Sequence, residues 1–361
     1  MPTSVLKSGL KELSPASPKA FQEFGQALPR LLGLVDEKFD VESRFCCPAE
    51  IASQIPFLKD IHHHFGKTLL AVFQFHLAEQ LADEFAWFVS TLSSRGLPHE
   101  YFQKYLDAWV SSLHGILPPQ SAGELAAPLR FLLRHLEEFP VLPASADSPL
   151  GEKPTALLDF LLQRKRRDAA DYVLSIFLTG ARIETLGCEF FAPVLGYVGH
   201  LWQTNKISAA DEHAATEICR YIVFRLFDSL PRPGRLPHKA FVTCVPGEEH
   251  SLTAEMTAEY LEAKGWTVYY SGRSAPLEDI VRSAADFRPD AVFLSASLVA
   301  HLPQAVELAA RLREKLSSAR IIAGGRASFI ARDVLKQWVD VFPGDVAEAY
   351  AKVALGVKAH A

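Results

Sequence analysis

The sequence has neither an excess of basic residues nor a long apolar run. Its formal net charge is -5 at pH 7, so the chain lacks the overall positive charge with which proteins neutralise nucleic-acid phosphates. The one basic run, Arg164 to Arg167, has no second cluster beside it and is typical of a solvated helix face. No apolar stretch reaches the roughly 20 residues that span a bilayer, and the N-terminus lacks the apolar core of a signal peptide. The sequence therefore predicts a cytoplasmic protein that contacts neither nucleic acid nor membrane directly.

Cysteine pairs with the spacing of redox or zinc motifs are also missing. The five cysteines are Cys46, Cys47, Cys188, Cys219 and Cys244. An odd number without CxxC spacing predicts free and mostly buried thiols. For the adjacent pair Cys46 and Cys47, redox or haem-thiolate chemistry is the alternative to ordinary packing.

Two proline-containing linkers divide the chain. Phe139 to Pro154 and Ser229 to His238 combine prolines with small or charged residues and interrupt helical periodicity. With 361 residues, of which 49% are hydrophobic, the chain is large enough for two or three cores. We predict an N-terminal helical domain over 1–138, a four-helix bundle over 155–230 and an α/β domain over 239–357.

Apolar residues recur at helical spacing throughout the first part. The spacing predicts one amphipathic helix through Leu69 to Phe85, and further helices over Pro98 to Leu113 and Ala122 to Phe139. No helix-turn-helix pattern is present. We predict a helical bundle in this part of the chain.

Three consecutive histidines, His62 to His64, stand within this part. Adjacent residues of a helix point about 100° apart, so the three imidazoles cannot all bind one metal ion. We therefore expect a solvated helix entry here rather than a metal site.

Four helices are predicted in the second part. They run over Thr155 to Gln163, Arg167 to Leu178, Ile183 to Gln203, and Ala209 to Phe227. Ser208 followed by Asp211 resembles a capping box at the start of the last helix. A four-helix bundle is the economical fold for these segments.

The apolar period changes in the third part. Short apolar runs at 240–245, 267–270, 291–294 and 320–323 alternate with helical patterns at 252–264, 276–286, 302–316 and 345–354. This alternation predicts a flavodoxin-like, doubly wound parallel sheet, which binds ligands at the carboxyl edge of its strands. His250, Ser295 and the pair Gly324-Gly325 all fall on that edge.

The residues at this edge favour some ligands over others. The turn before His250 lacks both the GxxxxGK[ST] phosphate loop and the GxGxxG dinucleotide fingerprint, which disfavours nucleotide cofactors. Gly324-Gly325 allows a bulky group to approach the backbone, and a neutral imidazole suits a transition metal. Glu248 could accept a hydrogen bond from the other imidazole nitrogen and raise the basicity of the ring. From these residues alone, a purely structural His250 remains the alternative.

The segment Glu248 to Thr253, with Ser295 and Gly324-Gly325 further on, resembles a known signature. It is similar to the pattern Asp/Glu-x-His-x-x-Gly, Ser, Gly-Gly of cobalamin-binding domains. The resemblance implies that His250 is the lower axial ligand of cobalt and that Glu248 hydrogen-bonds its imidazole. It also implies that the displaced nucleotide tail of the cofactor runs into the sheet.

The preceding bundle resembles the upper cap of the same proteins. The segment Val198 to Ala215 is similar to the Trp and Glu-His cap of adenosylcobalamin photoreceptors related to light-sensing carotenoid repressors. The resemblance, which covers about residues 155 to 355, implies that Trp202 lies over the upper axial face of the corrinoid. Glu212 and His213 would then lie beside the adenosyl group. A large aromatic side chain there would exclude water.

Three positions depart from the patterns of the family. Thr253 stands where the motif has glycine, and its side chain is expected to narrow the space for the nucleotide tail. Gln203 follows Trp202, where the light sensors carry histidine. Ser297 stands where methyl-transfer proteins have leucine in a Ser-x-Leu motif, which favours the sensors.

The resemblance implies a regulatory, non-enzymatic function. The expected cofactor is cobalamin, as adenosylcobalamin in a light sensor or as methylcobalamin in a protein that carries methyl groups for a methyltransferase system. A haem-binding or apo scaffold descendant is a further alternative. The DNA-binding region of the repressors is replaced by the helical domain over 1–138, so we expect signalling to a protein partner through that domain, with a homo-oligomer as one arrangement.

Overall fold

A computed structural model describes residues 2–46, 55–139, 150–231 and 233–357. The chain divides into two compact units, one comprising Met1–Ala144 with Gln203–Asn205 and the other comprising Ser145–Trp202 with Lys206–Ala361. Cys47 and most of the first predicted linker lie outside the described residues, as does Arg232 in the second.

The first unit is helical. Its helices are α1 Pro2–Lys11, α2 Pro18–Cys46, α3 Ile55–Phe75, α4 Ala78–Ser93, α5 His99–Ile116 and α6 Pro119–Arg134, followed by a 3-10 turn at Leu136–Glu138. Helix α5 packs against α2 and α6, and Trp109 at its centre is fully buried. Aromatic side chains fill much of this core, including Phe24, Phe85, Phe88 and Phe102.

Two helix predictions in this unit were wrong. The predicted helix through Leu69 to Phe85 is broken, because His76 adopts a left-handed φ of 56° and ends α3 before α4 begins. Both helices bury apolar residues at the same spacing, so periodicity alone does not reveal the break. The helix predicted to reach Phe139 ends at Arg134, and the chain continues in the 3-10 turn.

The expectation of a solvated helix entry at the histidine run was also wrong. His62 is completely buried, with its Nε2 hydrogen-bonded to the Tyr101 hydroxyl and its ring 4.5 Å from that of Tyr105. His63 is exposed and its Nε2 lies 2.8 Å from Oδ2 of Asp36. The 100° rotation between successive residues therefore buries one imidazole and exposes the next.

The second unit begins with a helical cap. Its helices are α7 Glu152–Leu162, α8 Arg166–Leu178, α9 Ile183–Thr185, α10 Ala192–Gln203 and α11 Ala209–Asp228. A π-helical segment, Leu186–Phe191, joins α9 to α10 within the predicted third helix. The predicted capping box is present, because the Ser208 hydroxyl accepts from the Asp211 amide while the Asp211 carboxylate accepts from the Ser208 amide.

A four-stranded parallel sheet follows the cap, which confirms the predicted fold class. Its strands are β1 Lys239–Cys244, β2 Thr267–Tyr270, β3 Ala291–Ser295 and β4 Arg320–Gly324, in the order β2-β1-β3-β4. The connecting helices are α12 Leu252–Ala263, α13 Leu277–Phe287, α14 Leu302–Lys315, α15 Arg326–Ile330, α16 Arg332–Leu335 and α17 Val346–Val357, with a 3-10 turn at Val299–His301. The pairing places Cys244, Ser295 and Gly324 side by side at the carboxyl edge.

Helix α12 contributes side chains both to the apolar core of the cap and to that of the sheet. Leu252 and Tyr260 of α12 pack among the buried side chains of α7, α8, α10 and α11. The Tyr260 hydroxyl also donates to Glu184 of α9 at 3.0 Å. Helix α12, which directly follows the loop of His250, is therefore held by the cap on one side and by the strands on another.

The cysteines that can be described in the structure are free thiols. Cys188 is exposed and free, whereas Cys219 and Cys244 are buried and free. Among the residues that the structure describes, no helix is both long and apolar enough to cross a membrane.

The burial of His62 makes the stability of the first unit pH-dependent. Burial lowers the pKa of His62, and this outweighs the opposing effect of the Asp36 carboxylate. The unfolded chain therefore takes up the proton first, so the contribution of His62 to stability is complete above the unfolded pKa of about 6.5 and is lost as the pH falls below it. Hydrogen exchange in α3 should accelerate between about pH 7 and pH 5.5, after correction for the intrinsic rate, and less so in His62→Gln. Exposed His99→Gln is the control and should keep the wild-type response; equal pH responses in both variants would contradict the assignment.

Candidate functional site

The loop after β1 turns Glu248 inward and leaves His250 at the surface. Gly247 adopts a φ of 81°, a left-handed conformation that glycine accepts without strain. The Glu248 amide then donates to the Val245 carbonyl at 3.0 Å, closing a tight turn. As a result Glu248 is completely buried, while the side chain of His250 is 61% exposed.

The buried Glu248 carboxylate is hydrogen-bonded at both oxygens. Oε1 accepts from the His250 amide at 2.9 Å and lies 2.6 Å from Nδ1 of the His250 ring. Oε2 accepts from the Ser297 amide at 2.7 Å and the Leu298 amide at 3.4 Å, and lies 3.3 Å from Nδ1 of His301. These contacts supply the donors that a carboxylate removed from water requires.

The contacts keep the carboxylate ionised. Burial by itself raises the pKa of Glu248, but the hydrogen bonds from His250, from His301 and from the backbone outweigh it and hold that pKa far below its ordinary value. The hydrogen bond to Glu248 raises the pKa of His250, against an opposing effect of burial. In the neutral ring, the ionised acceptor keeps the proton on Nδ1, so Nε2 carries the lone pair that a metal binds.

His301 completes this cluster, although no motif in the sequence predicts it. It lies in the 3-10 turn after β3, and its side chain is only 14% exposed. Its partner is a carboxylate 53 positions earlier, so no local periodicity predicts the contact. The one available signal is a histidine in the loop that follows a strand ending at the ligand edge. Ser297, expected at the cofactor, contributes its backbone N–H to Glu248.

A groove lies between the strand ends and α12. It encloses about 110 Å³ and includes Thr253, Thr257, Ser295, Gly324, Gly325 and Phe329 among its lining residues. A Cβ at Gly324 would meet open space, whereas one at Gly325 would lie 2.3 Å from the Ala296 carbonyl oxygen. Gly325 is therefore required by the packing of the backbone, and Gly324 keeps the groove open.

The cap residues named from the sequence lie in α10 and α11. Trp202 is half-buried near the end of α10. Glu212, in the first turn of α11, accepts from Thr216 at 3.1 Å, and its charge contributes to raising the pKa of His250. The carboxylate of Glu212 is therefore within electrostatic reach of the imidazole, whereas the side chain of His213 is 77% exposed.

These features together fit a cobalt corrinoid. His250 offers an exposed imidazole held by an ionised carboxylate, a donor arrangement typical of metal ligands. The groove at the strand ends, opened by Gly324 and lined by Thr253 three residues after His250, offers a place for an elongated tail. Imidazole is a ligand for several transition metals, so the groove and the cap are what distinguish a corrinoid site from a simple metal site.

The helical cap and the parallel-sheet domain are the two parts of a B12-binding protein. Residues 238–354 match a family model described as a B12 binding domain, and residues 155–226 match a second model with the same description. The two matches together span more than half of the chain. The chain therefore belongs to the B12-binding domain family, which confirms the resemblance recognised in its sequence.

One curated relative is the HTH-type transcriptional repressor CarH of Myxococcus xanthus. It is 30% identical over 159 residues, which are 44% of this chain and 52% of the relative. The chain thus spans about half the length of that relative.

Solved structures of corrinoid proteins are also similar. The Methanosarcina barkeri monomethylamine corrinoid protein is 18% identical with a TM-score of 0.46, covering 56% of this chain and 96% of its own. A cobalamin-binding protein from Desulfitobacterium hafniense DCB-2 is 19% identical with a TM-score of 0.29, covering 57% and 97% of the two chains. The methanol:cobalamin methyltransferase complex MtaBC of Methanosarcina barkeri is 14% identical with a TM-score of 0.30, covering 70% and 93%. With TM-scores below 0.5, these likenesses carry no functional conclusion.

Replacement of Glu248 by glutamine tests the carboxylate. The amide carries no negative charge and accepts at only one of its ends, so the His250 imidazole and the Ser297 amide compete for a single oxygen. We expect Glu248→Gln to weaken the retention of cobalamin by about 10- to 100-fold, the usual effect of losing a partner behind a metal ligand. Equilibrium titration followed by visible spectra measures this. The control is Glu249→Gln, because that exposed carboxylate pairs with Arg273; equal losses in the two variants would refute a special role for Glu248.

Alanine substitutions at Gly324 and Gly325 should have different effects, one on cobalamin binding and the other on stability. Gly325→Ala should destabilise the second unit by about 2 to 4 kcal/mol, because a side chain at a φ of 88° is strained and its Cβ would overlap Ala296. Gly324→Ala should leave the thermal unfolding midpoint unchanged but weaken cobalamin retention by placing a methyl group in the groove. Wild-type retention by Gly324→Ala would show that the cofactor does not use this groove.

Proposed function

We propose that this protein is a cobalamin-binding sensor that responds to light through adenosylcobalamin and signals to a protein partner. The observation that carries the proposal is the pairing of His250 with the buried, ionised Glu248. This pairing presents an imidazole nitrogen at the surface of a sheet edge that lies within one compact unit with a helical cap.

The residues of the α/β domain would hold the cofactor from below. His250 would bind cobalt through Nε2, while Glu248 holds the ring by its Nδ1 proton and His301 and the Ser297 amide hold the carboxylate. Ser295, Gly324, Gly325 and Thr253 would line the path of the nucleotide tail. The position of Thr253 at the groove supports the expectation that its side chain narrows this path.

The residues of the cap would cover the other side. Adenosylcobalamin supplies a cobalt–carbon bond that light can break. Trp202 would exclude water from the upper face, and Glu212, with His213 next to it, would lie beside the adenosyl group. The electrostatic effect of Glu212 on His250 supports a location of this helix end close to the cofactor.

Signalling would follow from two states of the cap. A ligand group that fits beneath Trp202 in one state biases the position of the cap helices, and its loss releases that bias. The net charge of -5 supports a protein rather than DNA as the partner. We propose that the helical unit formed mainly by Met1–Ala144 presents the surface which that partner recognises.

Illumination of the loaded protein tests the proposal. The protein, incubated with adenosylcobalamin in the dark and gel-filtered, should retain the cofactor and change its visible spectrum on illumination. His250→Ala should alter the dark spectrum, and Trp202→Ala should change the photolysis rate more than Trp202→Phe, which keeps an aromatic ring. Retention without a light response beyond that of free cofactor would favour a methyl carrier, which methylcobalamin and a methyl acceptor would reveal. Failure to retain any corrinoid would contradict both functions and leave the scaffold alternative.

A further inference from the structure

A buried ionic cluster joins the cap to the start of α12. The Nε of Arg220, on α11, donates to Oε2 of Glu255 at 2.6 Å, and Nη2 donates to the Ser251 hydroxyl at 3.2 Å. The side chains of Arg220 and Glu255 are only 15% and 10% exposed, and Ser251 is buried. Arg220 also pairs with Glu217 one turn earlier. The hydrogen bonds described for Glu248 do not involve this cluster, and neither Arg220 nor Glu255 belongs to the sequence motifs.

The hydroxyl of Ser251 serves this cluster instead of capping its own helix. Ser251 is the N-cap residue of α12, where a serine usually accepts from a backbone amide in the first turn, but its hydroxyl makes no such bond. The hydroxyl donates instead to Oε1 of Glu255 at 2.7 Å and accepts a hydrogen bond from Nη2 of Arg220. The first turn of α12 is therefore held by a side chain from the cap.

The position of Ser251 in the chain links this cluster to His250. Ser251 directly follows His250, so the group that fixes Ser251 also fixes one end of the loop that carries the imidazole. Glu248 and its partners fix the loop from the side of the sheet. The imidazole is therefore held between two anchors, of which one belongs to the α/β domain and the other to the cap.

Helix α11 connects the contact between Arg220 and Ser251 to the cap residues that we propose to lie above the cofactor. Glu212, in the first turn of α11, precedes Arg220 by eight residues, which corresponds to roughly 12 Å along a helix. A displacement of α11 near Glu212 is carried along the hydrogen-bonded helix to Arg220. Helix α11 thus carries Glu212 in its first turn and contacts the His250 loop through Arg220.

A merely stabilising role explains this cluster less well. A buried ion pair contributes little net stability, because apolar side chains of similar volume are often as good or better. Such pairs do impose one arrangement on the parts that they join, because a charge left without its partner is costly. A cluster built around Ser251 is therefore suited to setting the geometry of the neighbouring loop.

We propose that Arg220 is a positioning residue that sets the His250 loop from the cap, so that movement of α11 is transmitted to the lower cobalt ligand. The transmission to cobalt rests on the proposed function, whereas the positioning of the loop is a property of the protein without cofactor. Glu255 and Ser251 are the groups through which Arg220 acts.

Hydrogen exchange of the cofactor-free protein tests the positioning directly. Arg220→Met and Glu255→Gln should each accelerate exchange of the amides at 249–253 by at least about tenfold. The double variant should add little to either single one, because the two residues act as a unit. Exchange in β3 should stay unchanged. If Arg220→Met fails to fold, Arg220→Lys, which keeps the charge but loses the planar fork, decides the question.

Arg225→Met is the matched control. Arg225 lies on the same helix, but its Nη1 pairs with Asp171 of α8 at 2.9 Å, within the cap. We expect wild-type exchange at 249–253 in this variant. Additive effects of Arg220→Met and Glu255→Gln, or equal acceleration by Arg225→Met, would overturn the positioning role.

Loading with hydroxocobalamin tests the transmission to the ligand. In Arg220→Met the fraction of bound cobalamin with the histidine-ligated spectrum should fall at least about tenfold, while the gel-filtered protein still retains corrinoid. Partial recovery is expected in Arg220→Lys. An unchanged ligated fraction would overturn the transmission. If wild-type protein retains no corrinoid, the proposed function and the transmission fail together, whereas the exchange results still decide the positioning.

Discussion

The burial of one ionised carboxylate is the constraint on which the rest of the site depends. Glu248 is fully removed from water, and a charge in that position persists only if donors surround it. The turn at Gly247, the backbone amides after β3 and two imidazoles converge to supply those donors. The hydrogen bond between Nδ1 of His250 and Oε1 of Glu248 also orients the imidazole, because it leaves only Nε2 of the ring for a ligand.

The parallel sheet explains why these donors can converge. Its register brings Cys244, Ser295 and Gly324 side by side, so the loops after β1 and β4 each begin one strand spacing, roughly 5 Å, from the loop after β3. The approach of the last two loops is so close that no Cβ fits at Gly325. The same strand ends that position the carboxylate cluster also line the groove, which links the proposed metal ligand and the proposed tail site to one structural cause.

The cap is tied to this edge by both apolar and ionic contacts. Leu252 and Tyr260 of α12 belong to the core of the cap helices, and Arg220 adds a directional contact at the first turn of α12. Apolar packing tolerates small shifts, whereas the fork of Arg220 demands a particular geometry. The cap is for this reason joined to the His250 loop by a contact that fixes their relative position, in keeping with the sensory role that we propose.

The sequence by itself determined the order of the four strands and of the longer helices in the second unit, together with the capping box at Ser208. It did not predict the π-helical segment at Leu186–Phe191. The strands, the longer helices and the capping box depend on short-range periodicity and on contacts within a few residues, which a linear pattern records. It also identified the B12-binding signature around His250.

The sequence missed the break at His76, where both flanking helices keep the same apolar spacing. Only the tertiary structure decided that His62 is buried, that His301 reaches Glu248 and that Arg220 reaches Ser251, because those contacts join residues 31 to 53 positions apart or pack helices together. Nothing in local spacing encodes them, since they follow from the parallel strand register and from the way the cap helices pack against α12.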